Sequence, residues 1–430
     1  MKILRFAHAL SVVPVLLLAA CSSAGSQEPT KTSEDAISSS DGAAYQLTFD
    51  AEVLAERDAP VKVAATAQLE YLQGLFTTAS KANAQFRFTE ITNATSAVEG
   101  EGDDAKTRWS YTATVSVVYP KDATVPAKIT LALPLDVTKL SEFNDAYDGK
   151  CGKNEYGRET FWHDWNPSMT DCKLGDDVHQ TEATAKKHPL ATTDKYPEYD
   201  KMWADDVLEY VAVYGAISST SDSDTGARER EQLITKVKDA LTDGVRTDET
   251  ESRRGIVKES KVEGKIKVGG VDKKVKLTAF FIDEAKSAGD VFTQRYGDAT
   301  ENADIILYSG HSGLGKNIAA IANATHAKAG QYQLVFLNGC QTLGYLGPKM
   351  HADHIQANGA DKDPNGTKFL DVIVTTLPAR SETTPTEQLL FDAVVAQKKG
   401  YTELLKDFSK QQFISHITAV FGEDDNTFKP

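Results

Sequence analysis

Hydrophobic and polar positions alternate differently in two parts of the chain. Between about residues 45 and 145, short segments such as 109–119 alternate between apolar and polar residues, which is typical of half-buried strands. Residues 61–80 instead place apolar side chains at the spacing of a helix. The pattern predicts a small α+β domain at 45–145, and residues 146–203 are expected to form a loop and a polar connector.

From about residue 204 onward, continuous apolar runs take turns with stretches of helical spacing. This order indicates βα units, in which helices flank an open, mostly parallel sheet. The predicted strands are 208–217, 275–282, 304–308, 333–337, 371–377 and 414–421, and the predicted helices are 227–241, 290–303, 318–328, 387–396 and 402–408. Residues 204–430 are therefore expected to form a domain of the α/β class.

The N-terminus combines positive charge with a short apolar run. Lys2 and Arg5 precede a run that is too short to cross a bilayer, which takes about 20 apolar residues, and that has the form of a secretory signal. Its end, Leu18-Ala19-Ala20-Cys21, resembles the lipobox of bacterial lipoproteins. The resemblance implies a signal peptide at 1–20, a lipid such as palmitate on Cys21 and, because Ser22 follows, an outer-membrane location. An ordinary secreted protein with a chance cysteine is the alternative.

Composition and charge narrow the choice of partners. Residues 21–44 are rich in small polar residues and are expected to form a flexible tether. The net charge of −15 argues against a nucleic-acid partner. No later segment is apolar enough to cross a membrane. The lipid is therefore the only membrane contact that we expect.

The four cysteines are expected to be in different chemical states. With Cys21 lipidated, Cys151 and Cys172 flank a short loop, and in an oxidising envelope they are expected to form a disulfide. Cys340 is then the only cysteine expected to be free. Composition alone favours a buried, inert thiol at this position, and a reactive thiol is the alternative.

His311 and Cys340 each follow the end of a predicted buried strand. In an open parallel sheet this edge is where ligands bind. If the two strands are neighbours, the imidazole can take the proton of the thiol and make it a nucleophile. Gly310, Gly313 and Gly339 would let the backbone approach a substrate closely.

The two strand ends resemble those of caspase-like (clan CD) cysteine peptidases, which include caspases, gingipains, clostripain and CHAT-domain proteases. In that group an apolar strand leads to His-Gly, and a later apolar strand leads to a small residue and Cys. The matching segments here are 305–311 and 334–340, and residues 372–379 look like the next strand of the family. The resemblance covers roughly residues 205–425 and implies a caspase-like fold.

The same resemblance implies roles for individual residues. Cys340 would be the nucleophile, His311 the general base, and the backbone N–H groups of Ser312 and Cys340 the oxyanion hole. The loop at 377–384 would line the substrate pocket, and its candidate residues are Leu377, Arg380 and Thr384. The family has glycine where Ser312 stands, so a side chain is added beside the site. A peptide or protein substrate is expected, and no cofactor.

Two other interpretations remain open. Residues 310–316 fit the first seven positions of the phosphate-binding P-loop, although Asn317 replaces the Ser or Thr that would hold magnesium. A catalytically inactive caspase-like domain that binds a partner or acts as a scaffold would also carry His311 and Cys340. The chain further resembles bacterial lipoproteins of unassigned activity that share its Gly-His-Ser-Gly-Leu-Gly and Asn-Gly-Cys elements.

Two weaker motifs do not predict a metal site. His351 and His354 share one helix face, but the spacing indicates no further ligands. Residues 361–366 look like the start of a calcium loop, yet Val372 stands where an EF-hand needs glutamate. A surface helix and a polar turn are the plainer interpretations.

Overall fold

A computed structural model describes residues 38–39, 42–79, 85–187, 195–248, 255–379, 386–411 and 418–430. The predicted signal peptide, the lipid on Cys21 and most of the predicted tether lie outside these residues. So do Arg380 and Thr384, two of the predicted pocket residues. Residues 42–44, predicted as the end of the tether, instead begin a strand in which Ala43 and Ala44 are buried.

The described residues contain fourteen strands. They are β1 (Ser38–Ser39), β2 (Gly42–Glu56), β3 (Gln85–Glu99), β4 (Lys106–Pro120), β5 (Lys128–Pro134), β6 (Val178–Lys187), β7 (Val207–Gly215), β8 (Thr242–Asp248), β9 (Lys258–Val268), β10 (Val271–Ile282), β11 (Ile305–Ser309), β12 (Gln333–Asn338), β13 (Leu370–Thr375) and β14 (Thr418–Phe421).

Eleven α-helices accompany the strands in the described part of the chain. They are α1 (Val61–Leu69), α2 (Leu72–Gly74), α3 (Leu140–Tyr147), α4 (Tyr199–Met202), α5 (Thr225–Ala240), α6 (Gly289–Thr300), α7 (Lys316–Ala324), α8 (Thr342–Tyr345), α9 (Lys349–Asn358), α10 (Thr386–Ala396) and α11 (Tyr401–Gln411). The single helix predicted at 61–80 is divided into α1, α2 and a π-helical turn at Leu75–Ala79.

The first sheet has five antiparallel strands in the order β3-β4-β2-β6-β5. Its central strand β2 alternates between buried and more exposed positions, because one face packs on the core and the other meets solvent. Strand β6 comes from the segment predicted as a connector, and it pairs with both β2 and β5. The predicted boundary at residue 145 is therefore too early for this sheet.

The predicted disulfide between Cys151 and Cys172 is confirmed. It closes a loop whose Phe161 and Trp165 are fully buried in the core of the first sheet. Such a crosslink stabilises a fold by about 3 kcal/mol, mainly through the unfolded chain. The segment at 151–172 is thus part of the core and not only a loop.

The second sheet has nine strands in the order β1-β14-β13-β12-β11-β7-β10-β9-β8. The five central strands β13, β12, β11, β7 and β10 run parallel to one another. The outer strands pair antiparallel, so the sheet is mixed and only its centre matches the mostly parallel sheet predicted from the sequence. The α/β class is confirmed.

Helices cover both faces of the second sheet. The side chains of α5, α10 and α11 share a core with one face, and those of α6, α7 and α9 share a core with the other. The parallel strands β11, β12 and β13 are buried along their whole length because both of their faces are covered. None of the helices in the described ranges is long and apolar enough to cross a membrane.

Candidate functional site

The two predicted catalytic residues follow neighbouring strands. Strand β11 pairs with β12 in parallel, and Ser309 at the end of β11 lies opposite Asn338 at the end of β12. His311 comes two residues after Ser309, and Cys340 comes two residues after Asn338. The topology therefore brings both residues to the same edge of the sheet, as the sequence predicts.

The turns that carry these residues are in contact. The Gly310 N–H donates a hydrogen bond of 3.1 Å to the Asn338 carbonyl. A Cβ atom added at Gly339 would lie 2.9 Å from the Gly310 oxygen and 3.6 Å from the Ser312 nitrogen. A side chain at position 339 would push the two turns apart, so glycine permits this close approach.

A backbone carbonyl of a third segment holds the His311 ring. His311 is exposed, and its Nε2 atom lies 2.9 Å from the carbonyl oxygen of Ile217, which follows β7. A carbonyl oxygen can only accept, so Nε2 carries the proton and donates it. The second ring nitrogen, Nδ1, then has a lone pair that can accept a proton.

Asp224 organises the loop that supplies this carbonyl. Its carboxylate accepts the backbone N–H groups of Ile217, Ser218 and Ser219 at 2.8 to 3.2 Å. It also caps α5 by accepting the Gly226 N–H at 2.8 Å. Burial alone would raise the pKa of Asp224, but these N–H donors outweigh it and lower the pKa to about 2.

Cys340 is half-buried, and among the described cysteines it alone is free. Its Sγ atom lies 3.8 Å from the carbonyl oxygen of Ala379, and no hydrogen bond to the His311 ring is formed. Burial raises the pKa of the Cys340 thiol. The thiol is therefore protonated at neutral pH, and the site at rest does not hold a thiolate–imidazolium pair.

The predicted oxyanion donors lie at the contact between the two turns. Within the described residues, neither the Ser312 N–H nor the Cys340 N–H donates to another group of the chain. Two such N–H groups on adjacent turns are what a developing oxyanion requires. The side chain at position 312, where the resembled family has glycine, is buried and is not an exposed obstacle.

The turn after Cys340 is tight. Gln341 has a φ of 53°, in the left-handed region that a side chain rarely adopts. Its N–H donates a hydrogen bond of 3.3 Å to the carbonyl of Leu377, the one described member of the predicted pocket. Leu377 is 7% exposed, so it supports the Cys340 turn from below and offers little surface to a substrate.

Hydrogen bonds within the chain fix the second half of the loop at 310–316. The N–H groups of Gly315, Lys316 and Asn317 donate to carbonyls of the same loop. The buried Asn317 side chain donates to the His311 carbonyl at 2.9 Å and accepts the Lys286 N–H at 3.0 Å. Because a P-loop needs such N–H groups to cradle phosphate, this geometry favours a support for His311 over a nucleotide site.

The helix that was expected at the surface carries two buried histidines. His351 and His354 lie on α9, and His354 is buried with its Nε2 atom 3.0 Å from the side-chain oxygen of Gln333. Burial lowers the pKa of His354 to about 4. In the part of the chain that the structure describes, no group of three or more metal-ligating side chains occurs.

Sequence reasoning missed the groups that surround the dyad. The Ile217 carbonyl has no side-chain signal, and Asp224 could have been identified only as a helix cap. Two further carboxylates, Glu229 and Glu387, approach the ends of β11 and β12. Nothing in their local sequence marks them, because they meet only when helices distant in sequence pack on one face.

The sequence matches no protein-family model, and no curated protein is similar to it.

Proposed function

We propose that this protein is a cysteine endopeptidase in which Cys340 attacks the scissile carbonyl and His311 transfers the proton. The observation that carries the proposal is the 2.9 Å hydrogen bond from His311 Nε2 to the Ile217 carbonyl. It fixes the ring and leaves Nδ1 as the proton acceptor, next to the turn that carries the thiol. The contact between the two turns supports the pairing.

The reaction begins with a neutral thiol because burial raises the Cys340 pKa. As Sγ bonds to the substrate carbonyl carbon, His311 Nδ1 takes the thiol proton, and the carbonyl oxygen becomes an oxyanion held by the Ser312 and Cys340 N–H groups. The imidazolium then protonates the leaving amine, and the C–N bond breaks to give a thioester. Water, deprotonated by His311, hydrolyses the thioester to the acid and restores the thiol.

The test compares full-length protein, purified in detergent, with Cys340→Ala and His311→Ala on a library of fluorogenic peptides. Each substitution is expected to lower kcat/KM by about 10⁴-fold, since the two groups act as a unit. His326→Ala is the matched control, because this exposed histidine follows the other end of α7. Equal turnover by all of these proteins, or turnover by none, would contradict the proposal.

An inactive, partner-binding domain is the second candidate. It is favoured by the contact of Sγ with Ala379 in place of the imidazole and by the raised thiol pKa. A peptidase needs a Cys340 thiol that substrate can reach, whereas an inactive domain does not. The peptide assay separates them, because only the peptidase loses turnover when Cys340 is replaced.

A further inference from the structure

Two side chains hold the backbone carbonyl of His311 from inside the fold. The Tyr308 hydroxyl donates to this carbonyl at 2.6 Å, and the Asn317 side-chain amide donates to it at 2.9 Å. Tyr308 is 0% exposed and Asn317 is 1% exposed, so solvent does not compete for either donor. Burial raises the pKa of Tyr308 well above its usual value, so the hydroxyl keeps its proton and remains a donor.

Two glycines make room for the tyrosine. Tyr308 lies on β11, and its hydroxyl passes close to the backbone of the turn above its own strand. A Cβ atom at Gly310 would lie 3.1 Å from the Tyr308 hydroxyl oxygen, and one at Gly215 would lie 3.3 Å from it. Either side chain would press on the hydroxyl, so glycine at both positions permits its contact with the His311 carbonyl.

Asn317 ties the same turn to its surroundings. Its side-chain oxygen accepts the Lys286 N–H at 3.0 Å, and its own N–H donates to the carbonyl of Ser312 at 3.1 Å. One buried residue at the start of α7 therefore holds two consecutive carbonyls, those of His311 and Ser312. The turn is fixed through its backbone as well as through the His311 ring.

The His311 carbonyl and the Ser312 N–H belong to one peptide group. This group is planar and trans, so its C=O and N–H bonds point in opposite directions. Because the carbonyl is held inward, the N–H points away from Tyr308 and Asn317. The Ser312 nitrogen lies beside the turn that carries the thiol, since a Cβ atom at Gly339 would be 3.6 Å from it. No described group of the chain accepts this N–H.

We infer that Tyr308 and Asn317 are positioning residues for the oxyanion hole. By holding the His311 carbonyl, they aim the Ser312 N–H at the oxygen of the scissile carbonyl. They also strengthen this donor, because a hydrogen bond accepted by the C=O of a peptide group polarises its N–H. Oxyanion stabilisation depends on donors that are oriented before the reaction begins. The inference rests on the proposed function, and neither side chain itself contacts the substrate.

Two reactions of Cys340 separate the oxyanion hole from the rest of the site. Sγ attacks 4-nitrophenyl acetate at its carbonyl carbon, so an oxyanion forms before 4-nitrophenolate leaves and the acetyl group stays on sulfur. Sγ attacks iodoacetamide at its CH₂ carbon, so iodide leaves and no oxyanion forms. In both reactions His311 takes the thiol proton. Both rates are measured on the full-length protein in detergent, with Cys340→Ala as the blank.

Tyr308→Phe removes the hydroxyl and keeps the ring that packs in the core. It is expected to lower the acetylation rate about 10-fold, less than the roughly 10²- to 10³-fold loss when a direct donor is removed. The alkylation rate is expected to stay unchanged. Asn317→Asp, which keeps the acceptor for the Lys286 N–H and loses the donor, is expected to act in the same direction. With peptide substrates, kcat falls in both variants and KM does not change.

Tyr296→Phe is the matched control. Tyr296 is 0% exposed in the same core as Tyr308, but its hydroxyl pairs with Thr325, so neither rate is expected to change.

The possible outcomes separate the inference from the proposed function. If Tyr308→Phe lowered both rates equally, its role would be merely structural, and the inference would be overturned. An unchanged acetylation rate in Tyr308→Phe, beside peptide turnover by the unaltered protein, would overturn the inference alone. A selective loss of acetylation without any peptide turnover would support the positioning role and contradict the peptidase. Acetylation of the unaltered protein no faster than that of Cys340→Ala would contradict both.

Discussion

Buried carboxylates lie at both edges of the parallel strands, but the groups around them differ. At the edge where the strands begin, one oxygen of Asp371 accepts from the side chains of Tyr332, Tyr401 and Asn426. Asp304 at the same edge accepts a backbone N–H at 2.8 Å and the Gln331 amide at 2.8 Å. Donors of the fold therefore hold both oxygens of Asp304 and the Oδ2 atom of Asp371, whereas Asp371 Oδ1 is buried without a partner among the described residues.

At the edge where the strands end, Ser309 donates to Glu229, Asn338 donates to Glu387, and the two carboxyls lie near each other. The hydroxyl of the neighbouring Tyr214 is buried and without a partner in the described residues. At the first edge several donors meet one carboxylate oxygen of Asp371, whereas at the second edge two carboxyls lie beside each other. The comparison teaches that burial raises the pKa of the carboxyls at both edges, and that the neighbouring groups make the difference between them.

Replacing Asp371 tests the structural edge and has the largest expected effect on stability. Asp371→Ala leaves two tyrosine hydroxyls and one amide without their acceptor, and we expect a loss of about 3–5 kcal/mol in the free energy of unfolding. Glu387→Gln, at the other edge, is expected to leave that free energy unchanged or to raise it. Urea unfolding of both variants is the measurement.

Asp371→Asn serves as the control, because it keeps the shape of the side chain and one acceptor oxygen. It is expected to cost less than Asp371→Ala. If Glu387→Gln destabilised the protein as much as Asp371→Ala, the distinction between the two edges would be lost.

Replacing Asp224 tests how the site edge is positioned. Asp224→Ala removes the acceptor that orders the loop of Ile217, so we expect kcat to fall about 10- to 100-fold with little change in KM. The lost helix cap is expected to cost about 1 kcal/mol of stability as well. Asp136→Ala, which removes a comparable cap from Thr138 in the first sheet's unit, is expected to lower stability alone. An unchanged kcat in Asp224→Ala would exclude a positioning role.

The pH dependence of stability gives the smallest expected effect. The Glu229 pKa is raised to about 9 in the folded protein, whereas glutamate in an unfolded chain has a pKa of about 4.3. The folded state then binds the proton more tightly, so stability is full below about pH 4.3 and falls as the pH rises towards 9. Glu229→Gln stays neutral throughout and is expected to flatten this fall by about 1 kcal/mol, allowing for partial exposure.

Urea titrations of the two proteins at pH 5, 7 and 9 make the comparison. Burial also raises the pKa of Asp371 to about 7 and that of Asp304 to about 8, and both groups remain in the variant. The difference between the curves therefore isolates the Glu229 pair. Parallel curves would contradict the raised pKa.

Much of the second sheet follows from periodicity. The fully apolar segments at 304–308, 333–337 and 371–377 can be buried only if both faces of the sheet are covered, so β11, β12 and β13 were predictable. Strands β6 and β8 were missed because their residues are mostly polar and exposed. Such strands form because a neighbouring strand offers backbone hydrogen bonds, which local hydrophobicity does not report.

The sequence by itself determined which residues stand at the strand ends, and it determined the disulfide, because both depend on local pattern and on cysteine spacing. It placed His311 and Cys340 after two apolar strands, and the pairing of β11 with β12 makes those ends adjacent. Only the tertiary structure decided what surrounds them. The carbonyl of Ile217 and the pair of Glu229 and Glu387 come from segments up to 170 residues apart, which meet through strand order and helix packing. No local pattern encodes such a meeting, because it is the packing of whole elements that brings these groups together.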